Sequence, residues 1–304
     1  MRALFSLINV VLWVLTTFHT VSASATWNYD DDGGIGPSDW SDIPGNDACG
    51  YLRQSPINII SSDREEDNEL GRLFVASYHE VDHMTMELEN TGYTVNLVVS
   101  GRYSLSVWNG GLPDDYTLEK VQFHWGSTDD RGSEHTVDGE QYPLEMHLVH
   151  AADSYRWNFE EAQNRTNGLA VLAFLFEIQS DDNDNFAAII NGLSEVINAA
   201  DTHTIETFAM WSLVRGAWGS YYRYYGSLTA PPCYESVIWI VHKTTIGISS
   251  SQLAEFRALM TNDDTPVALV DNFRPVQALG DRTVYYYHDP DDDGVALVTM
   301  SIGL

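Results

Sequence analysis

The feature that most limits how this chain can fold is a series of short runs rich in β-branched, aromatic and aliphatic residues, mostly bounded by turn residues. These runs are Thr85–Leu88, Thr94–Ser100, Tyr103–Trp108, Val121–Gly126, Leu144–His150, Leu169–Gln179 and Ser236–Lys243. Helical spacing of apolar residues is confined to a few segments, chiefly Asn185–Ala200 and Ser250–Met260, the latter preceded by a serine N-cap. The sequence therefore predicts a mainly β fold with peripheral helices.

The length and the first residues of the chain indicate one exported domain. The 304 residues suffice for a single large domain, and no stretch rich in Pro, Gly or Ser divides them. An early positive charge, an apolar run ending at Phe18 and small residues around Ala23 follow the order of a secretory signal peptide. We expect a secreted, extracellular protein with no membrane span, because no later segment is long and apolar enough. The expected organisation is a signal peptide over residues 1–23, a domain over 24–284 and an acidic tail over 285–304.

Two features of the sequence bear on export. Cys49 and Cys233 are the two cysteines of the chain. An even count in an exported protein favours a disulfide, and two buried free thiols are the alternative that the residues leave open. Asn164 begins the one Asn-x-Ser/Thr sequon, which export makes a candidate glycosylation site.

The net charge of −29 excludes some partners. Such a field repels nucleic acid and anionic membranes, so we expect no nucleic-acid partner. It suits loose association with calcium or simple solubility at high salt, and charge alone does not choose between them. The acidic clusters adjoin Gly, Pro or Asn and lack the ligand spacing of an EF-hand loop, so they predict solvated loops.

A pair of strand-like runs places histidines where a metal site needs them. Gln122 and His124 are two residues apart and share one strand face, as do Glu145 and His147, while His150 points to the other face. Two adjacent antiparallel strands therefore bring Gln122, His124 and His147 around one point. A catalytic zinc needs three protein ligands and an open position. The pattern offers two good ligands and a doubtful glutamine. The alternative is that both histidines are hydrogen-bonded structural residues.

Several segments in a fixed order resemble the α-class carbonic anhydrases over nearly the whole predicted mature chain. The matching segments are Trp27–Tyr29, Gln54–Ile59, Gln122–Ser127, Ser133–Gly139, Glu145–His150, Ser227–Cys233 and Leu269–Pro275. The resemblance implies one domain with a central, twisted, largely antiparallel sheet and a cavity that holds zinc. It also implies reversible hydration of carbon dioxide to bicarbonate, with a zinc ion that lowers the pKa of its bound water to about 7. Secreted members carry a disulfide at the positions that Cys49 and Cys233 match.

The resemblance also implies roles for single residues. His124 and His147 match the second and third zinc ligands, and Glu145 matches the carboxylate that orients the third. Thr229 matches the threonine that accepts a hydrogen bond from the reacting hydroxide, and Glu134 matches the carboxylate that orients this threonine. The apolar wall against which carbon dioxide rests is matched by Val149, Val171, Leu228 and Trp239.

The departures from the family pattern are equally specific. Gln122 stands in place of the first ligand histidine, and Lys120 replaces the glutamine that supports this ligand in the family. Tyr93 occupies the position of the proton-shuttle histidine, and with an ordinary pKa near 10 a tyrosine is a poor shuttle at neutral pH. Ala230 replaces the second threonine of the family's loop. A neutral amide is a weak zinc donor beside imidazole, so zinc is expected to be weakly bound or lost.

These departures lead to a functional hypothesis. We expect a secreted carbonic-anhydrase-like protein with lost or strongly reduced hydration of carbon dioxide, retained for extracellular binding or for a matrix role such as biomineralisation. Its partners would then include calcium, carbonate mineral or extracellular matrix proteins. The alternative is an active zinc enzyme with a His/His/Gln site, acting on carbon dioxide and bicarbonate. A passive structural or storage role is a third interpretation that the sequence leaves open.

Overall fold

The main element of the fold is a large mixed β-sheet. The structure is a computed structural model that describes residues 27–31, 35–263 and 265–293. The strands are β1 Asn58–Ile59, β2 Glu65–Glu66, β3 Leu73–Ala76, β4 Met84–Asn90, β5 Val95–Gly101, β6 Ser106–Asn109, β7 Tyr116–Trp125, β8 Thr136–Val137, β9 Leu144–Ala152, β10 Leu169–Gln179, β11 Thr202–Ile205, β12 Tyr221–Gly226, β13 Val237–His242, β14 Ile246–Ser249 and β15 Tyr285–Tyr287. The predicted signal peptide and residues 294–304 of the predicted tail lie outside the described residues.

The strand order is that of a largely antiparallel sheet. Thirteen strands form one sheet, in which the order β11-β4-β5-β7-β9-β10-β13-β12-β15-β2 gives the main path. Strand β6 joins β3 to β7, and β14 pairs with the end of β10. Strand β10 is parallel to β13 and β14, and β15 is parallel to β2, whereas the other pairs of this sheet are antiparallel. The predicted mainly β, largely antiparallel fold is confirmed.

The helices in the described residues are short. They are α1 Phe159–Gln163, α2 Ala187–Leu193, α3 Trp211–Val214 and α4 Ser250–Phe256, with 3₁₀ turns at Trp40–Asp42, Asp47–Gly50, Asp153–Tyr155, Asp184–Phe186 and Pro290–Asp293. Ser249 caps α4, because its hydroxyl accepts the backbone N–H of Gln252 while the Gln252 side chain bonds back to the cap. The predicted helix therefore begins at Ser250, but it ends at Phe256 rather than at Met260. No helix in the described part of the chain is long and apolar enough to cross a membrane.

Alternation along the central strands separates two environments. In β7, Val121, Phe123 and Trp125 point into the larger apolar cluster of the protein. Gln122 and His124, on the alternate positions, point to the other face of the sheet. There a smaller apolar cluster is formed mainly by β9, β10, β12 and β13. The predicted polar site thus lies beside this smaller cluster.

A disulfide and a strand pairing attach the two ends of the described chain to the rest of the fold. Cys49 and Cys233 form a disulfide with their Cα atoms 4.8 Å apart, packed with Trp40 and Ile43. The predicted disulfide is confirmed. Strand β15 pairs with β12 in the large sheet. The sheet therefore includes the first three residues of the predicted acidic tail.

Candidate metal centre

The register of three neighbouring strands groups the predicted site residues. Gln122 of β7 lies opposite His147 of β9 on one side and opposite Asn96 of β5 on the other. His124 lies opposite Glu145, two residues further along the same pair of strands. Because alternate residues of a strand face the same way, Gln122, His124, Glu145 and His147 share one face of the sheet.

His124 is held by the segment that follows Leu269. Its imidazole is buried, and its Nδ1 donates a hydrogen bond to the carbonyl oxygen of Asn272 over 2.7 Å. Asn272 is fixed in turn, because its side chain accepts the backbone N–H of Trp125 and donates to the carbonyl of Phe123. Burial lowers the pKa of His124, and the nearby Glu134 carboxylate opposes this effect. The neutral ring therefore keeps a free lone pair on Nε2, which is the form that binds a metal.

His147 is held by Glu145, which is fully buried. The Nε2 of His147 and the Nδ1 of His135 donate to Oε1 of Glu145 over 2.7 and 2.6 Å. Its Oε2 accepts the backbone N–H groups of Glu134 and His135. Burial raises the pKa of Glu145, but its electrostatic interactions and hydrogen bonds with His135 and His147 hold this pKa well below its ordinary value. An ionised carboxylate only accepts, so His147 carries a proton on Nε2, and the neutral tautomer of this ring has its lone pair on Nδ1.

Glu134 completes the centre from the segment before β8. Its side chain is buried, and Oε1 accepts the backbone N–H of Arg274 over 3.0 Å. Its Oε2 accepts no hydrogen bond within the described residues. It lies 3.6 Å from Nε2 of His124 and 3.9 Å from Nδ1 of His147. Thr229 is buried, but the hydrogen bond that we expected between it and Glu134 is not formed. The catalytic roles of Thr229 and Glu134 stay predictions.

The chemistry of these atoms fits a divalent cation such as zinc. One nitrogen each from His124 and His147 and a carboxylate oxygen of Glu134 lie within 4.8 Å of one another. Imidazoles whose second nitrogen is held by a carboxylate or a carbonyl are typical zinc ligands. Among the described side chains, one further group meets the same distance limit, and it consists of His135, Glu145 and His147. Hydrogen bonds account for its contacts, because His135 uses Nδ1 toward Glu145 and Nε2 toward a tyrosine hydroxyl.

A row of apolar residues crosses the sheet next to His147. Val149, Val171 and Trp239 are aligned in register on β9, β10 and β13, and Leu228 packs against the same cluster. The rings of Trp239 and His147 lie 4.8 Å apart. The four residues predicted to line a carbon dioxide pocket therefore lie in one apolar cluster beside His147. Their contact with substrate stays a prediction.

Gln122 occupies the place where the resemblance implies a third imidazole. Its side chain is partly exposed, and it makes no hydrogen bond to any residue that the structure describes. The Nζ atom of Lys120 lies 5.7 Å from the centre of the Phe159 ring. Burial lowers the pKa of Lys120, opposed by Glu89 and Glu119. The contact of the Lys120 ammonium is thus with Phe159 rather than with the histidines.

Tyr93 is fixed between two supports. Its ring stacks on Trp27 with the centroids 4.3 Å apart and the planes at 20°. Its carbonyl oxygen accepts a hydrogen bond from the Asn272 side chain over 3.0 Å. Asn272 therefore contacts both Tyr93 and His124, and the place of Tyr93 in proton transfer stays a prediction.

The sequence of the whole domain decides the family. Residues 35–288 match the family model described as eukaryotic-type carbonic anhydrase. The chain belongs to this family. It is 36% identical over 274 residues to carbonic anhydrase 15 of Mus musculus, covering 87% of this chain and 84% of the relative. It is 35% identical over 254 residues to carbonic anhydrase 4 of Oryctolagus cuniculus, covering 83% and 79%. Carbonic anhydrase 1 of Mus musculus is 35% identical over 265 residues, covering 86% and 98%.

Sequence reasoning missed the residues that hold the ligands of this carbonic anhydrase domain. Asn272 supports His124, Arg274 donates to Glu134, and His135 donates to Glu145. Their segments contribute to the family resemblance, but a strand-period pattern does not indicate which backbone atoms they contact.

The other predicted sites lie apart from the centre. Asn164 is exposed at the C-terminal end of α1, where a glycan has room, and its modification stays a prediction. Among the described side chains, two groups of residues lie close enough together to bind a metal ion, and both include His147 of the centre. Neither group includes a residue of the acidic clusters, and the expected loose association of the acidic surface with calcium stays a prediction.

Proposed function

We propose that this protein is a secreted carbonic-anhydrase-related protein with strongly reduced hydration of carbon dioxide. The observation that carries the proposal is the register of β7 with β9, which puts the neutral amide of Gln122 opposite His147 on the face shared with His124. No described histidine replaces the missing one, because both nitrogens of nearby His135 already contact Glu145 and Tyr224.

The residues of the centre give the physical reason for expecting slower hydration of carbon dioxide. When bound, zinc supplies a hydroxide at neutral pH and polarises the substrate. His124 and His147 are oriented to hold it, each through a hydrogen bond on its second nitrogen. An amide oxygen carries no charge and is a weaker donor than imidazole, so two imidazoles hold zinc less firmly than three. The loss should exceed the 10–100-fold that removal of a supporting residue typically costs.

The extracellular part of the proposal rests on other residues. The signal-like first segment, the Cys49–Cys233 disulfide and the exposed sequon at Asn164 suit an exported protein. The net charge of −29 suits a binding or matrix role in which calcium or carbonate mineral is held loosely. Calcium binding that disappears at moderate salt, together with no effect of the protein on carbonate crystal growth, would remove this part.

An active enzyme is the second candidate, and a specific observation favours it. The apolar row of Val149, Val171 and Trp239 is intact beside His147, so a place for carbon dioxide exists even with Gln122 present. In this version the Gln122 amide oxygen is a working third ligand.

One experiment separates the two candidates. The secreted chain is purified, its zinc content is measured, and carbon dioxide hydration is followed by stopped flow before and after Gln122→His. The proposal predicts substoichiometric zinc and slow hydration for the parent, with both increased by the substitution. A parent that retains stoichiometric zinc and hydrates carbon dioxide as fast as the variant would show that the second candidate is correct.

A further inference from the structure

The unpaired oxygen of Glu134 is the least satisfied group in the centre. The side chain is 0% exposed, and Oε2 has no hydrogen-bond donor within the described residues. Leaving a buried polar oxygen without a partner typically costs about 1–3 kcal/mol, and more for a charged group. The nearby nitrogens of His124 and His147 offer lone pairs when the rings are neutral, because the single proton of each ring is then used toward Asn272 or Glu145. Three acceptors therefore converge without a donor.

A bound cation would interact favourably with all three acceptor atoms. The separations of 3.6 and 3.9 Å from Oε2 to the two nitrogens are too long for hydrogen bonds. They are close to the roughly 3.3 Å that separates two ligands of a tetrahedral zinc with bonds of about 2.0 Å. The geometry points to Glu134 as the third protein ligand of a divalent cation held by His124 and His147. This inference rests on the proposed function, since it requires that Gln122 does not supply a ligand.

The contrast between the two candidate ligands supports Glu134. Its carboxylate is buried, charged when ionised, and oriented through Oε1 by the backbone N–H of Arg274. Gln122 is partly exposed, neutral, and has no hydrogen bond to a described residue that would orient its amide. Two histidines and one carboxylate are a sufficient set for zinc in other proteins. A charged oxygen that is oriented by a hydrogen bond binds a divalent cation more strongly than a neutral amide oxygen without such support.

The same assignment changes the expected relation between Glu134 and Thr229. If Glu134 binds the cation through Oε2, this oxygen is no longer an acceptor for Thr229, and the structure shows no hydrogen bond to Oε2. The carboxylate that the family resemblance assigns to orienting Thr229 thereby becomes a ligand. Glu134 would then bind the cation at the cost of orienting the threonine hydroxyl.

The test is a zinc titration of the metal-free protein against a chromophoric chelator. The variants are Glu134→Gln, Gln122→Ala, Gln122→His and the double variant Glu134→Gln/Gln122→His, each checked for folding by circular dichroism. We expect Glu134→Gln to weaken zinc binding by about 100-fold or more, since ligands matter at least as much as their supports. Gln122→Ala should change the affinity by less than about threefold, because the inference gives the Gln122 amide no part in holding the cation.

The double variant distinguishes a ligand from a structural residue. With a third imidazole present, Glu134→Gln should cost less than about threefold, so the two substitutions are strongly non-additive. Equal losses in both backgrounds would mean that Glu134 acts only through the fold, and the inference would be overturned. A loss caused by Gln122→Ala as large as that caused by Glu134→Gln would overturn it as well, as would a parent that binds no zinc.

The proposed function can be judged separately from this inference. The titration measures affinity, whereas the proposed function concerns the rate of hydration with zinc present. A slow parent whose zinc affinity is insensitive to Glu134→Gln removes only the inference. A fast parent with that same insensitivity removes both.

Discussion

Replacing Glu145 with glutamine tests how the buried carboxylate supports the centre. Glu145 accepts four hydrogen bonds, two from imidazoles and two from backbone N–H groups, over 2.6–2.8 Å. A glutamine has a single acceptor oxygen, so two of the four bonds lose their acceptor. At about 1.5–3 kcal/mol for each hydrogen bond to a charged group, the variant should lose about 3–6 kcal/mol of unfolding free energy. That is a large part of the roughly 5–15 kcal/mol of a typical domain.

The assay is denaturant unfolding of the metal-free protein with its disulfide intact. The matched control is Glu134→Gln, because this side chain is equally buried but accepts a single hydrogen bond, from Arg274, which an amide oxygen can still accept. We expect the control to lose no more than about 1 kcal/mol. A loss below about 1 kcal/mol for Glu145→Gln, or equal losses for both variants, would refute the account of the four bonds.

The same variant has a defined pH dependence. The folded-state pKa of Glu145 lies well below its ordinary value of 4.5, so its contribution is fully present above pH 4.5 and is lost as the pH falls below it. The difference in unfolding free energy between parent and Glu145→Gln should therefore be constant near neutral pH and should shrink toward pH 3. A difference that grows on acidification would contradict the depressed pKa.

Three further outcomes follow from the structure. Replacing Cys49 and Cys233 together by serine should cost about 5 kcal/mol by the chain-entropy model for a separation of 184 residues, and unchanged stability in a denaturant titration would contradict it. In the Gln122→His background, Tyr93→His should raise the maximal hydration rate at low buffer about tenfold or more, since a group with a pKa near neutrality transfers protons better; stopped-flow rates independent of this change would exclude position 93 as a relay. Asn164→Gln should abolish a glycan-dependent mass difference in protein secreted from a eukaryotic host, and an unaltered mass would show that the sequon is unused.

A strand can be predicted from the sequence when its own residues show a burial pattern. It is missed when it forms mainly through hydrogen bonding to strands that are distant in the chain. Strand β10 was predicted with its observed bounds because its apolar residues are buried on both faces and form a continuous run. Strand β12 was missed, since Tyr221–Gly226 contains arginine and glycine and is a strand through its pairing with β13 and β15. Strand β15 was assigned to the tail for the same reason. Long-range pairing of this kind leaves little trace in a local pattern.

The site shows the same division. The two-residue period predicts that Gln122 and His124 share a face, and the register with β9 shows which residues they meet. The tautomers of His124 and His147 depend on Asn272 and Glu145, and Asn272 lies 148 residues away from His124 in the chain. The position of the free Glu134 oxygen, within 3.9 Å of both nitrogens, likewise follows from the tertiary fold. Residue types were predictable, whereas the direction of each lone pair was not.

The central claim is that Gln122, in place of a ligand histidine, is what lowers the rate of carbon dioxide hydration by this protein. The most direct measurement is kcat/KM for carbon dioxide hydration by the parent and by Gln122→His, both at saturating zinc and corrected for bound metal. We predict that the variant exceeds the parent by about 100-fold or more, which corresponds to roughly 2.7 kcal/mol of transition-state stabilisation. Equal values for the two proteins, with equal zinc content, would contradict the claim.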